Sequence, residues 1–177
     1  MSKILSTQMS GLFQRIIQSE EEAIEETSRL LAQASIGQGN IYFACFDELQ
    51  AIETNALHGA EPFINLKSWS TTTPLTEADR VCIFTTKNEN PEALNLAKKL
   101  YENFIPFSVV SNEPKSESNE LSELAYTYIS MKVRGGILPH PTKLGERVLI
   151  PNLMAGLFIY EAIKLNYDEM ISDDDEL

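Results

Sequence analysis

Histidine and cysteine are scarce in this chain, with two of each among 177 residues. Cys45 and Cys82 sit in separate apolar stretches without a CxxC spacing, so neither a disulfide framework nor a thiolate metal cluster is available. Thiols in such stretches act as small hydrophobes. His58 and His140 lie far apart and supply no recognisable zinc ligand set, so no metal and no cofactor is expected. Positive charge is also short, because 14 Lys and Arg face 26 Asp and Glu and leave a net charge of -12. That field repels phosphate backbones and anionic lipid, which argues against nucleic acid and membrane as partners. No apolar run approaches the roughly 20 residues a membrane span requires. The opening MSKILSTQMSGLF is too polar for a secretory leader, and the cytoplasm is the expected compartment. The eight glycines and eight prolines form no tract, so no linker divides the chain.

What remains is an ordinary globular balance, 43% hydrophobic and 23% charged, at a length that suits one domain. We expect a single domain over residues 1–170 and a solvated acidic tail over 171–177, ISDDDEL. From Met9 to Ile36 apolar residues recur at spacings of three and four, which predicts a long helix, with a polar patch at Ser19 to Glu22 as the place for a bend or break. Gly37 and Gly39 stop it. A helix this long has more apolar surface than one sheet face readily covers, which suggests a homodimer or higher homo-oligomer, the alternative being a helix packed only on its own sheet.

Asn40 to Phe46 predicts a first, central strand followed by a short helix from Leu49 to Leu57 that ends at His58. Glu61 to Trp69 offers a weak edge strand. The stretch Leu75 to Leu100 reads as turn, buried strand (Val81 to Phe84), polar loop and helix, with Pro91 at the first helical position. Pro106 to Val110 and Tyr126 to Val133 supply two more strands, separated by a charged, mobile segment from Glu113 to Glu120 and one helical turn at Leu121 to Leu124. Arg134 to Pro141 is too rich in glycine and proline for a regular element, and Lys143 to Ile150 makes a short β excursion. A strongly apolar helix runs from Pro151 to Tyr167. Strands alternating with helices imply a three-layer α/β/α sandwich, flavodoxin-like, with a five-stranded parallel sheet.

In open parallel sheets, anions bind where a strand's carboxyl end meets a helix's amino end, because free amides and the helix dipole converge there. The loop Thr85, Thr86, Lys87, Asn88, Glu89, Asn90 is the candidate cradle for a phosphate or carboxylate. The alternative is an ordinary polar loop in which Asn90 only caps the helix. Asp47 and Glu48 end the first strand, and Glu48 is the candidate general base, or else a first-turn acid favoured by the helix dipole. Asn112 ends the fourth strand. Arg134 and His140 are the cation and the proton carrier to seek near a bound anion, the alternative being that His140, between two prolines, belongs to a rigid surface turn.

The order of these segments resembles the sugar isomerase, or SIS, domain family. The resemblance rests on the long leading helix, IYFACFDE, LTEADRVCIFTTKNENPEAL, IPFSVVSN, LSELAYTYI and the final apolar helix, and it covers most of the chain. It implies a five-stranded parallel sheet that binds phosphosugars. In the family a serine-rich loop with a glycine holds the sugar phosphate. Thr85, Thr86, Lys87 and Asn88 stand there in this sequence, with threonine hydroxyls kept and the glycine replaced. The glycine-rich turn after the first strand is replaced by Ala44 to Glu48. The nearest named relatives are the phosphoheptose isomerases, and the chain also resembles a small bacterial branch of undefined function. Phosphoheptose isomerases use a glutamate and a histidine, sometimes with zinc, and no histidine here aligns after the first strand.

Two functions follow as expectations. One is an aldose–ketose sugar-phosphate isomerase in which Glu48 moves a proton and His140 or Arg134 polarises the carbonyl, while Thr85, Thr86, Lys87, Asn88 and Asn90 hold the phosphate and Asp47, Arg134 and Asn112 touch the rest of the sugar. The other is a non-catalytic phosphosugar sensor or regulator, or an interaction scaffold with a decayed site. In the first two the partner is a small sugar phosphate or similar anion.

Overall fold

A computed structural model describes residues 1–175. Five parallel strands form one sheet in the order β2-β1-β3-β4-β5, with β1 Ile41–Cys45, β2 Leu66–Lys67, β3 Arg80–Phe84, β4 Phe107–Ser111 and β5 Thr127–Ser130. The strand residues alternate strictly between two cores. Ile41, Phe43, Cys45, Cys82, Phe84, Val110 and Ile129 face helices α1 (Ser2–Ile36), α2 (Gln50–His58) and α5 (Asn152–Asp175). Tyr42, Ala44, Val81, Ile83, Val109 and Tyr128 face α3 (Pro91–Glu102) and α4 (Glu120–Leu124). Burial on both sides is what the continuous apolar runs require of a parallel sheet, and the three-layer sandwich is as expected. Phe43 lies at the centre of the first core, edge-on to Phe63, Phe84 and Tyr160.

Several local expectations change. The helix α1 is unbroken through Ser19 to Glu22 and begins at Ser2 rather than Met9. Its polar patch does not break it, and there Glu20 turns inward and bonds the end of β5. The segment from Glu113 to Glu120 is held rather than mobile. The Tyr128 hydroxyl donates to the Glu113 carbonyl at 2.6 Å, and buried Asn119 donates to the Pro114 carbonyl at 3.0 Å. Leu138–Pro139 is a strand after all, β6, pairing antiparallel with β7 (Arg147–Val148). Gly136 permits this, since a Cβ there would lie 2.8 Å from the backbone of Arg147 and Val148. The fifth sheet strand is shorter than Tyr126 to Val133, and Tyr126 is exposed. Of the expected acidic tail, residues 171–175 continue α5 and residues 176–177 lie outside the described residues.

Gly39 is required where α1 meets the sheet, because a Cβ would fall 1.9 Å from the Ala78 carbonyl oxygen. The adjacent buried carboxylate, Asp79, accepts from the amides of Asn40 at 2.8 Å and Thr76 at 2.7 Å. Its role is structural, as a brace for two loops. No helix among the described residues is long and apolar enough to cross a membrane.

Candidate functional site

The carboxyl ends of β3, β4 and β5 open into a cleft of about 630 Å³. Thr86 and Lys87 reach it from the loop after β3, Asn112 and Glu113 from the loop after β4, and Ser130, Lys132 and Arg134 from β5 and beyond. Asn152, first residue of α5, closes it. Four sequence-selected residues meet here: Thr86, Lys87, Asn112 and Arg134.

The loop after β3 is shaped by its own side chains. Thr85 is fully buried and its hydroxyl donates to the Lys87 carbonyl at 3.0 Å. This short turn spends the Thr85 hydroxyl on the backbone and points Lys87 into solvent. Asn90 accepts from the Ala93 amide at 3.1 Å and so caps α3, with Pro91 at the first turn. Thr85 and Asn90 thus build the loop and do not line the cleft. Among the described residues the amides of Thr86, Asn88 and Glu89 have no acceptor. Of these three only Thr86 lines the cleft, so Asn88, selected from the sequence as a phosphate ligand, is not brought into it; the Thr86 amide beside a helix start and Lys87 suit a negatively charged group.

The other wall is built from β5 outward. Ser130 donates to the Asn112 carbonyl at 2.9 Å, tying β4 to β5 beyond their ladder. Lys132 sits at φ 59, a left-handed conformation that a residue with a Cβ adopts at a cost of order 1 kcal/mol. Glu20 compensates from α1. Its carboxylate accepts from Lys132 Nζ at 2.9 Å and from the Ser130 amide at 3.2 Å, with side-chain exposures of 28% for Lys132 and 12% for Glu20. At that burial, removing one partner of the pair costs more than removing one from a surface ion pair. Arg134 projects into solvent without an ion-pair partner among the described residues.

A chain of hydrogen bonds runs along the sheet edge. Asn112 Nδ2 donates to Asn152 Oδ1 at 2.9 Å, and Asn152 Nδ2 donates to Glu48 Oε1 at 2.9 Å. Glu48 therefore joins the cleft through Asn152, while remaining exposed itself. Asn112 Oδ1 is buried without a donor among the described residues. Asp47 is exposed in the 3₁₀ turn Asp47–Leu49 at φ 53 and does not reach the cleft. His140 lies outside it too. Its Nδ1 accepts from the amides of Lys143 at 3.0 Å and Thr142 at 3.2 Å, which fixes a turn beside β6.

Sequence reasoning did not select Ser130, Lys132, Asn152 or Glu20. For Glu20 a signal existed, because it sits four residues from both Ile16 and Ile24, which are buried on the same stripe of α1. Neither cysteine is a nucleophile, since burial raises the Cys45 thiol well above its ordinary value and pushes Cys82 up to about 12. Among the described residues no three His, Cys, Asp or Glu side chains are grouped to hold a metal ion.

A family model described as "Domain of unknown function (DUF2529)" matches residues 1–171. The uncharacterized protein YwjG of Bacillus subtilis (strain 168) is 34% identical over 174 residues, spanning 98% of this chain and 99% of that protein. Similar solved structures include a Bacteroides fragilis protein titled a candidate phosphosugar isomerase involved in capsule formation. It has TM-score 0.71 at 13% identity, over 95% of this chain and 88% of that one. A Methanococcus jannaschii protein, whose title infers a 3-hexulose-6-phosphate isomerase function, has TM-score 0.64 at 14% identity, over 95% and 89%. At such identities the likeness is one of fold. The family model over residues 1–171 and the relative at 34% identity make this chain a member of the DUF2529 family, and its five-stranded sheet is built on a fold shared with those two solved structures.

Proposed function

We propose that this protein binds a phosphorylated sugar in the cleft at the carboxyl ends of β3 to β5. The observation that carries the reading is the Thr86 amide, open among the described residues, in a cleft with two cations, Lys87 and Arg134, that form no ion pair among the described residues. Backbone amides and the α3 dipole favour the phosphate, and a planar guanidinium pairs with its oxygens in a fork. The buried Asn112 Oδ1 is the kind of acceptor that a sugar hydroxyl satisfies. Thr85 and Asn90 serve by holding the loop in shape. The similar folds titled as phosphosugar isomerases agree with this chemistry.

Thermal-shift measurements with sugar phosphates and with the same sugars unphosphorylated test the proposal. A ligand at about 100 times its Kd adds roughly 2.7 kcal/mol, which for a chain of this size raises Tm by about 5–10 °C. Shifts confined to the phosphorylated compounds support the reading, and no shift with any of them overturns it.

A catalytic reading is favoured by one observation, the link from Glu48 through Asn152 into the cleft. In it, Glu48 removes the proton from the hydroxyl-bearing carbon next to the carbonyl and returns it to the former carbonyl carbon, while the hydroxyl proton passes to the former carbonyl oxygen, whose developing charge Arg134 stabilises. Glu48→Gln then abolishes aldose–ketose turnover and keeps binding, whereas turnover equal to that of the unmodified protein removes Glu48 from the chemistry.

A further inference from the structure

Behind the segment Lys132–Gly135 lies a second cleft of about 520 Å³, which shares that segment with the first. Arg15 from α1 and Arg147 from β7 line it together with Lys132 and Arg134, and no carboxylate among the described residues does. Leu12, Val133 and Ile137 give it apolar walls. Cations set in low-dielectric walls attract an anion more strongly than the same cations in water.

The four basic side chains are differently committed. The ion pairs of the described residues engage Arg29, Lys98, Lys132, Lys143 and Lys164, which leaves Arg15 and Arg134 without a carboxylate. Arg147 donates from Nε to the Gly136 carbonyl at 2.8 Å and from Nη2 to the Ile137 carbonyl at 2.7 Å. Those contacts fix the guanidinium without neutralising it. Glu113 at the first cleft and the Glu20 partner of Lys132 answer part of this charge, whereas Arg15 and Arg147 have no carboxylate among the described residues, so their cleft favours an anion. A single phosphate in the first cleft leaves Arg15 and Arg147 unanswered.

We infer that the physiological ligand carries two anionic groups: a sugar phosphate whose second phosphate or carboxylate enters the cleft of Arg15 and Arg147. The inference rests on the phosphosugar reading of the first cleft and narrows its substrate class. Lys132 and Arg134, lying on the shared segment, face the middle of such a ligand.

Calorimetric titration of the full-length protein with two matched pairs tests it. Fructose 6-phosphate against fructose 1,6-bisphosphate asks about a second phosphate, and glucose 6-phosphate against 6-phosphogluconate asks about a carboxylate. In at least one pair the member with two anionic groups binds about tenfold or more tightly, and the pair that responds identifies the second group. Arg15→Gln, an exposed change on α1, returns that ratio towards one. Lys87→Ala weakens both members and keeps the ratio. Equal affinities within both pairs, or a ratio that survives Arg15→Gln, overturn the inference while the phosphosugar reading stands. Absence of binding by all four compounds overturns both.

Discussion

Two loops leave the same edge of the sheet from adjacent strands, and their chemistry is opposite. After β1 the chain turns at once into a 3₁₀ segment that presents Asp47 and Glu48 to solvent. After β3 it makes a wider excursion whose side chains hold its own backbone, leaving Lys87 without an ion pair and the amides of Thr86, Asn88 and Glu89 without acceptors among the described residues. Both loops precede helices, so both sit at the positive end of a dipole. The β1 loop answers that dipole with its own carboxylates, and the β3 loop leaves it to another anion. Parallel topology brings loops to one edge; the local sequence decides the sign of the guest each can accept.

The largest expected effect breaks this comparison directly. Lys87→Ala with Arg134→Ala lowers sugar-phosphate affinity by about 100-fold, or about 2.8 kcal/mol, whereas Asp47→Ala and Glu48→Gln change it by less than about threefold, in calorimetric titration. Equal losses from the two sets show that the loops do not differ in this way. Next in size is Glu20→Ala, which strands half-buried Lys132 and removes the acceptor of the Ser130 amide. Urea unfolding should show a loss of about 2 kcal/mol, and a change under about 0.5 kcal/mol marks the pair as a surface contact. Thr85→Val and Asn90→Ala remove the two bonds that shape the β3 loop, each at about 1 kcal/mol by the same measurement. Both also weaken phosphate binding without touching the cleft. The smallest effect sharpens the contrast. Raising NaCl from 0.05 to 0.5 M should weaken binding severalfold in a titration, because the Lys87 and Arg134 charges are exposed and screened.

The layers were legible because period-two burial and apolar runs leave a direct trace in composition. Val81, Ile83, Cys82 and Phe84 read as a strand covered on both faces, and they are. The loop after β3 was legible as a place, though the division of labour within it was not. Whether a threonine hydroxyl meets a ligand or its own backbone depends on a turn geometry that residue type alone leaves open, as Thr85 and Thr86 show. His140 looked like a proton carrier because it is one of two histidines, yet two backbone amides occupy its Nδ1. The polar patch at Ser19 to Glu22 read as a helix break because a buried acid and a solvated one are the same letter.

By itself the sequence determined the strands, the helix faces and the acidic character of the whole, since these depend on periodicity and charge counts. Tertiary structure alone decided which polar residues converge. Glu20 reaches Ser130 and Lys132 across 110 and 112 positions of the chain, and Asn152 reaches Glu48 across 104. Hydrogen bonds of that kind are short-range in space and unconstrained in sequence, so no local pattern announces them.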